Sequence, residues 1–471
     1  MFKYFLPIYA LLTVLFFCGC AAVGPEYVRP DVPVSKDWRA GSPLEQEKQQ
    51  TNPRRLAAWW QVFHDPQLTE LMERATAGNR DLKKAQARLH EARARRGISE
   101  TGFYPTVDAS ARANRTRTER RTGTDTTSSL YAAGLDASWE WDVFGGVRRS
   151  VEAADAEIEA ANEELNHVLV SLLAEAALSY LDVRTYQARL AAAQAGLAAQ
   201  EDAALLVKWR HEAGLEDALA LQQSIYTLES SRAQVPNMIK GIEEAKNRLA
   251  ILLGEEPGAL HAALEEPGPV PEAPIETAVG TPADVLRQRP DVRKAERQLA
   301  AQTARIGAAQ ADYYPRFTLS GSIGIETLSL KNVSDTGVLS LGPRVSWRIF
   351  DAGAVRRNVE IQSALQEQAL IAYEAAVYNA LEDVENALVA YAQEHQHRKS
   401  LLLAIQAAGE AADLAAQKYA SGLADFREVL DAQRSLFSFQ DQLAQSKGAV
   451  AADLVRLYKA LGGGWTPLAN H

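Results

Sequence analysis

The sequence predicts an internally duplicated α+β membrane protein in which β-hairpins are continuous with long helical hairpins. Three observations predict this fold class. The chain repeats its own anchor motifs, four segments alternate polar and apolar residues, and two very long stretches contain no proline. Together they replace the roughly three soluble domains that a length of 471 residues would otherwise suggest.

The duplication is visible in short motifs that recur in the same order. Their offsets are nearly constant, for example 291 − 81 = 210 residues for the first pair. The recurring pairs are Asp81 and Asp291, Tyr104-Pro105 and Tyr314-Pro315, Gly214-Leu215 and Gly422-Leu423, and Leu253-Gly254 and Leu461-Gly462. Such an order predicts two structural repeats, at 67–254 and 283–462, joined by a Pro-rich linker at 255–282.

Four segments show the alternation of β-strands that have one polar and one apolar face. They form two predicted β-hairpins, at 105–144 and 315–350. Each segment has about 9 to 13 residues, the length of a tilted transmembrane strand. Charges on the polar faces suit a water-filled lumen, and the predicted lumen residues are Asp108, Arg112, Asp136, Glu140, Asp142, Arg344 and Arg348. A soluble antiparallel sheet with one wet face is the alternative.

Four strands per chain cannot close a barrel, and open sheet edges are not tolerated in lipid. Several chains must therefore contribute two hairpins each. Two chains would give eight strands and an interior filled by side chains, whereas three would give twelve strands and room for solutes. An oligomer is required, and a trimer is the assembly that forms a channel.

Each repeat is predicted to begin with a helix before its β-hairpin and to end in a long helical hairpin, at 146–254 and 353–462. No proline occurs between Thr106 and Val235 or between Arg344 and Trp465, and the composition favours helix. A first helix of some 65 residues would be roughly 100 Å long at 1.5 Å per residue. Helices of this length attached to membrane strands must project far from the membrane, here into the periplasm.

The N-terminus has the features of a bacterial lipoprotein signal. An apolar run from Phe5 to Phe17 follows one lysine and is too short to span a membrane. The segment Phe17-Cys18-Gly19-Cys20 resembles a lipobox, although Phe17 stands where leucine is usual. Residues 1–19 are therefore the predicted signal peptide and Cys20 the acylated residue, with an ordinary secretory signal as the alternative. Ala21, rather than aspartate, after this cysteine favours the outer membrane.

Between the acylated cysteine and the first repeat, residues 20–66 form a Pro-rich leader. Prolines remove amide donors and fix φ, so we expect the leader to run extended over the surface. Trp38, Trp59 and Trp60 are the expected anchors, and a disordered tether is the alternative. Residues 463–471 form a short C-terminal tail.

Composition and motifs exclude several other classes of protein. A net charge of 50 − 60 = −10 gives no general attraction for nucleic acid. Cys18 and Cys20 are the only cysteines, so a disulfide framework or a thiolate metal site cannot form. The sequence contains no phosphate-binding loop and no arrangement of nucleophile and base. We therefore expect no enzymatic activity, no metal and no cofactor apart from covalent lipid on Cys20.

These features together resemble the TolC-like outer-membrane efflux channels, in particular the lipoprotein branch with OprM- and NodT-like proteins. The resemblance covers essentially the whole mature chain. Its motifs are Cys20 to Tyr27, Trp59 to Pro66, the duplicated Tyr-Pro strand starts and the two Gly-Leu turns. It implies a homotrimer with a twelve-stranded barrel in the outer membrane and an α-helical periplasmic tunnel with a mixed α/β belt.

The same resemblance implies a role and partners. The chain would be the passive exit duct of a tripartite pump that exports small molecules such as drugs. It would contact a periplasmic adaptor (membrane fusion) protein and, through it, an inner-membrane RND-type transporter. Two alternatives stay open: the outer-membrane duct of a type I protein secretion system, and a periplasmic coiled-coil scaffold lipoprotein.

Two sites follow from the resemblance. Gly214-Leu215 and Gly422-Leu423 match helix tips at which adaptor hairpins dock, although a plain reversal of the helices needs the same glycines. Glu428 and Asp431 match the acidic aperture at the periplasmic end. They are three residues apart and so share a helix face, and in a trimer they would form two stacked rings that collect cations. A solvated helix face is the alternative for this pair.

Overall fold

The structure, a computed structural model, describes residues 22–35, 37–39, 56–119, 121–123, 125–272, 282–328 and 337–465. The predicted signal peptide and Cys20 lie outside these residues. The chain divides into two compact units. The first unit consists of Met1–Asp31, Ala87–Asn162 and Lys294–Ala375, and the second consists of Val32–Gln86, Glu163–Arg293 and Ala376–His471.

The described residues contain the same succession of elements twice: two helices, two strands, a helix of 67 residues and a helical return. The helices are α1 (Pro66–Gly78), α2 (Arg80–Glu100), α3 (Gly146–Glu212), α4 (Ala218–Arg232), α5 (Val235–Leu253), α6 (Pro282–Gln288), α7 (Pro290–Ala311), α8 (Ala354–Ala420) and α9 (Phe426–Ala460). The strands are β1 (Thr106–Thr118), β2 (Thr126–Trp141), β3 (Arg316–Thr327) and β4 (Gly337–Ser346).

In the first unit, the four strands form one antiparallel sheet in the order β1-β2-β3-β4. The two halves of the chain therefore meet at the β2–β3 pairing. A tryptophan makes the same hydrogen bond at the equivalent position of each hairpin. The indole nitrogen of Trp139 donates to the carbonyl of Phe103, and that of Trp347 donates to the carbonyl of Tyr313, each at 3.0 Å. The duplication seen in the sequence is thus also a duplication of contacts.

Each hairpin continues into its 67-residue helix through a joint of the same design. Gly145 and Gly353 take the left-handed conformation, with φ of 81° and 85°, which glycine adopts without strain. An aspartate near each joint accepts hydrogen bonds from backbone amides at or just before the start of the helix. Asp142 accepts from Val147 and Arg148, and Asp351 accepts from Gly353 and Val355. Such bonds satisfy amides that have no partner within the helix.

The leader is attached to the first unit close to its predicted lipidation motif. The amide of Val23 donates to the carbonyl of Phe144 at 3.0 Å, and Arg149 donates back to the carbonyl of Val23. Gly24 lies so close to Gly307 that a Cβ at position 24 would come within 2.3 Å of the Gly307 Cα. The chain just after Cys20 therefore contacts the joint between β2 and α3.

The second unit has a continuous apolar core. Trp59 is fully buried and stacks on Tyr458 with ring centroids 5.5 Å apart. Trp38 and Trp60 pack partly buried against the same core, so the three tryptophans anchor the described part of the leader as predicted. Alanines of α3 lie at the centre, and small side chains allow neighbouring helices to approach closely.

The two helical returns differ. In the second half, α9 is one continuous helix of 35 residues. In the first half, the return is interrupted between α4 and α5, where Pro236 occupies the first turn of α5. Proline has no amide hydrogen and starts a helix better than it continues one, which explains the break.

Two features are absent from the described residues. Within that part of the chain, none of the helices combines the length and the apolar character needed to cross a membrane. The same part of the chain contains no group of three or more His, Cys, Asp or Glu side chains arranged to hold a metal ion.

Candidate functional site

The strand register places most of the predicted lumen residues on one face of the sheet. Asp108 pairs directly with Asp136. Glu140 and Arg344 both pair with Thr318, from opposite sides. Because side chains two apart along a strand share a face, this face carries the predicted lumen residues Asp108, Arg112, Asp136, Glu140 and Arg344, together with Arg316 and Glu326 of β3. We call this the polar face.

The opposite face, which we call the apolar face, carries large hydrophobic side chains that the chain itself leaves uncovered. Val107, Leu135, Ile323 and Leu339 are 62%, 48%, 59% and 79% exposed. Leu135 and Leu339 pair with Ile323 from either side, so these side chains form a continuous band across the sheet. Exposed apolar surface of this extent marks contact with a membrane or another protein.

Two predicted lumen residues are not on the strands. β2 ends at Trp141 and β4 ends at Ser346, so Asp142 and Arg348 lie past the strand ends. The carboxylate of Asp142 accepts from the amides of Val147 and Arg148 at 3.0 and 2.9 Å. The start of α3 therefore uses the Asp142 carboxylate, and its place in the lumen stays a prediction. Arg348 is exposed but lies beyond the last β4 pairing.

The two predicted helix tips have the same backbone geometry. Gly214 and Gly422 have φ of 74° and 72°, and a Cβ at either glycine would meet nothing within 4 Å. The amide of Leu215 reaches back to the carbonyl of Arg210, and the amide of Leu423 reaches back to that of Lys418, each at 2.8 Å. This pattern closes a helix C-terminus around a left-handed glycine. Both leucine side chains project largely exposed from their turns.

A polar network that the sequence did not reveal joins the two tips. The Tyr419 hydroxyl donates to the Glu216 carboxylate at 2.7 Å, and the Arg210 guanidinium lies 3.5 Å from the same carboxylate. The guanidinium carbon of Arg210 also lies 4.6 Å from the centre of the Tyr419 ring. Burial and the neighbouring Glu216 raise the pKa of Tyr419 to about 12, so its hydroxyl keeps the proton that it donates. We call these three residues the tip network.

A small apolar cluster supports the tip network. It includes Tyr419 itself together with Val207, Phe426, Val429 and Leu430. The rings of Tyr419 and Phe426 are 5.2 Å apart. The network thus lies between a dry cluster and the exposed turns, where a charge-assisted hydrogen bond is stronger than in water.

The predicted aperture residues lie on the opposite side of α9 from this cluster. Glu428 and Asp431 are exposed, whereas Val429 and Leu430 between them are buried. Asp431 lies 3.8 Å from the guanidinium of Arg427, and both side chains are well solvated. An exposed pair of this kind contributes little to stability. The placement of Glu428 and Asp431 on one accessible face fits an acidic aperture and a solvated helix face equally well. Their role as an aperture stays a prediction.

The sheet, the long helical hairpins and the two-fold repetition are also found in known proteins. A family model described as outer membrane efflux protein matches residues 71–255 and 281–463. The chain belongs to the outer membrane efflux protein family. Nodulation protein T of Rhizobium leguminosarum bv. trifolii is 31% identical over 475 residues, which cover 99% of this chain and 98% of that protein.

Two further comparisons agree. The toluene efflux pump outer membrane protein TtgF of Pseudomonas putida is 32% identical, over 96% of this chain and 95% of TtgF. The solved structure of the outer-membrane channel OprN has a TM-score of 0.88 and 35% identity, and it covers 95% of this chain and 100% of that one. This efflux protein is therefore located in the bacterial outer membrane.

The fold class predicted from the sequence is confirmed. The chain is an α+β membrane protein of the kind whose structural neighbours are trimeric outer-membrane channels, with a β-barrel and an α-helical periplasmic barrel. Four strands of each chain belong to the barrel.

Proposed function

We propose that three copies of this chain form the exit duct of a tripartite efflux pump, through which small organic molecules leave the periplasm. The observation that carries this proposal is the four-stranded sheet of this chain, which belongs to the efflux protein family. One face of the sheet is charged, as a pore lining would be, and the other is apolar and uncovered, as a lipid contact would be. The relative TtgF is named for toluene efflux, which supports small organic cargo. The duct itself is passive and has no catalytic step, so the energy comes from the inner-membrane partner.

The number of copies follows from the sheet edges. Within the described residues, β1 and β4 each pair with one strand only, and open edges are not tolerated in lipid. Joining β4 of one chain to β1 of the next removes every edge. Three chains give twelve strands, enough for a lumen that is not filled by side chains.

The helix tips are the proposed docking surface for the periplasmic adaptor. The two turns repeat the same geometry and present one exposed leucine each, Leu215 and Leu423. In a trimer, this repetition gives six nearly equivalent contact points for a repeated partner. The adaptor in turn would connect the duct to an RND-type transporter in the inner membrane.

The tip network and the aperture residues are the proposed gate. The network joins α8 to the turn between α3 and α4 and so holds the two hairpins of one chain together. Glu428 and Asp431 of three chains would face one another around the opening as acidic rings, which attract cations and select against anions.

We also propose that Cys20 carries the lipid. The described chain begins at residue 22 and is fastened at Val23 and Gly24 to the joint at the base of the β-hairpin. That joint adjoins the strands that enter the membrane. An acyl group on Cys20, two residues before the described chain, would therefore lie close to the membrane surface, where it can insert.

Current recordings on the purified full chain in planar bilayers test the proposed duct. We expect discrete current steps from protein extracted from outer membranes. A periplasmic scaffold lipoprotein would give no steps, and it would be released by alkaline carbonate once its lipid anchor was removed. Absence of steps from protein that stays in carbonate-washed membranes would contradict the proposed function.

The double variant Glu428→Ala and Asp431→Ala tests the aperture. Removing two acidic groups per chain is expected to raise single-channel conductance, because the shorter alanine side chains leave a wider opening. Block by divalent cations should weaken, because six carboxylates no longer bind them there. A matched control is Glu410→Ala with Asp413→Ala, an acidic pair with the same spacing on α8. Unchanged conductance and block in the aperture variant would exclude this assignment.

A further inference from the structure

The outer end of β1 carries two arginines on the face that meets lipid. Residues of β1 alternate, and the register places Arg115 opposite Ser129 and Arg117 opposite Thr127. Both arginines are an even number of residues from Val107 along β1 and therefore belong to the apolar face. Arg112 is an odd number of residues from Val107 and belongs to the polar face. An arginine on the lipid side of a membrane strand needs an explanation, because it is costly wherever hydrocarbon surrounds it.

The position of Arg115 along the strand gives that explanation. Trp139 marks the periplasmic end of the band, where its indole is fastened to Phe103. From Trp139 to Ser129, the partner of Arg115, are 139 − 129 = 10 residues. Ten residues span about 33 Å along a strand, or about 25 Å along the membrane normal at a tilt near 40°. This height equals the roughly 25 Å apolar band of outer-membrane barrels. Arg115 is therefore at the level of the outer-leaflet headgroups.

Aromatic and charged neighbours agree with this level. Tyr131 pairs with Ala113 on the apolar face, one step closer to the membrane centre than Arg115, where an outer aromatic girdle belongs. Arg117 lies one step further out and pairs with Asp125 at 3.0 Å and with Glu119 at 3.6 Å. Within the described residues, Arg115 has neither an ion-pair partner nor a side-chain hydrogen bond. It is a cation that the described chain leaves uncompensated.

We propose that Arg115, with Arg117 beside it, binds a phosphate group of the phosphorylated glycolipid of the outer leaflet. A guanidinium presents two parallel N–H groups that match two phosphate oxygens, and the contact is charge-assisted. The apolar band below it receives the acyl chains of the same lipid. This inference rests on the proposed membrane position of the sheet. The bound lipid would fasten β1, an edge strand of each chain, at the outer surface of the trimer.

The experiment uses full-length trimers reconstituted in phosphatidylcholine nanodiscs that contain lipid A, the phosphorylated core of the glycolipid. Native mass spectrometry counts the lipid A molecules retained by each trimer. The test variant is Arg115→Ala, and the matched control is Arg112→Ala, which removes the same charge from the polar face three residues away. We expect Arg115→Ala to retain lipid A about tenfold more weakly, as loss of one charge-assisted contact predicts, and Arg112→Ala to behave like the unaltered protein.

Two results would overturn the proposal. The first is that Arg115→Ala does not differ from Arg112→Ala in lipid A retention, either because Arg115→Ala retains as much as the unaltered protein or because both variants lose lipid A equally. The other appears when phosphatidylglycerol replaces lipid A: if Arg115→Ala weakens retention of phosphatidylglycerol but not of lipid A, the ligand is not the glycolipid. Trimer formation is measured on the same samples, and current steps are recorded after the same protein preparations are transferred to planar bilayers. If they persist in both variants, a negative result counts against the lipid site alone and not against the duct.

Discussion

Replacing Ile323 by arginine is expected to abolish assembly in the outer membrane. Ile323 lies in the middle of β3, between Leu135 and Leu339, on the apolar face that we propose meets lipid. An arginine at the bilayer midplane costs about 2–4 kcal/mol, so three copies in a trimer cost about 6–12 kcal/mol. That sum is comparable to the whole stability of a typical domain. The measurement is the amount of heat-modifiable oligomer in isolated outer membranes.

The adjacent residue supplies a matched control. Ser322 lies on the polar face and pairs with Asp136 and Ser340. Arginine at this position would face water and a carboxylate, so Ser322→Arg should assemble in nearly normal amounts. If the two variants lost assembly equally, or if Ile323→Arg assembled normally, the division of the sheet into a lipid face and a lumen face would be contradicted.

The second large effect is expected from Glu216→Gln, which removes the central charge of the tip network. Glu216 accepts from Tyr419 and lies beside Arg210, and both partners would lose their charged acceptor. A hydrogen bond to a charged group contributes about 1.5–3 kcal/mol and one to a neutral amide about 0.5–1.5 kcal/mol, so the closed state of each chain should weaken by about 5- to 10-fold. In planar bilayers, the time spent in high-conductance states should rise accordingly.

The control for this variant is Glu212→Gln, at the end of the same helix. Glu212 is exposed, and its side chain makes no hydrogen bond or ion pair with any residue that the structure describes. The Glu212→Gln substitution removes the same charge as Glu216→Gln and should leave the conductance unaltered. The effect of Glu216→Gln should also be constant between neutral and mildly alkaline pH. With a pKa of about 12, the Tyr419 hydroxyl stays protonated there and remains a donor. If the time spent in high-conductance states rose in both variants, or in neither, the tip network would not be part of the gate.

The sheet was predictable because the pattern that marks it, alternation of polar and apolar residues, lies within each strand segment. Alternation along each strand assigns every residue to a face, and the register confirms that Asp108 and Asp136 share one. The same rule did not show that β2 ends at Trp141, because alternation continues to Asp142 while the backbone already turns towards α3. A pattern of period two cannot show where pairing stops, since that depends on the helix amides that need an acceptor.

The helix tips were predictable and the tip network was not. Gly214 and Gly422 could be identified because a tight reversal needs a residue that tolerates positive φ. Glu216 and Tyr419 are 203 residues apart, and nothing in either segment indicates the other. Their contact depends on packing between hairpins. The only signal in the sequence was the position of each residue close to a predicted tip.

The number of chains in the intact protein tests the central claim most directly, namely that each chain provides one third of a closed outer-membrane duct. Protein extracted from outer membranes in mild detergent can be weighed by native mass spectrometry. We predict three copies of a chain whose unprocessed mass is 51.4 kDa, each shortened by its signal peptide. A stable assembly of one or two copies would contradict the duct, because four or eight strands cannot enclose an open lumen.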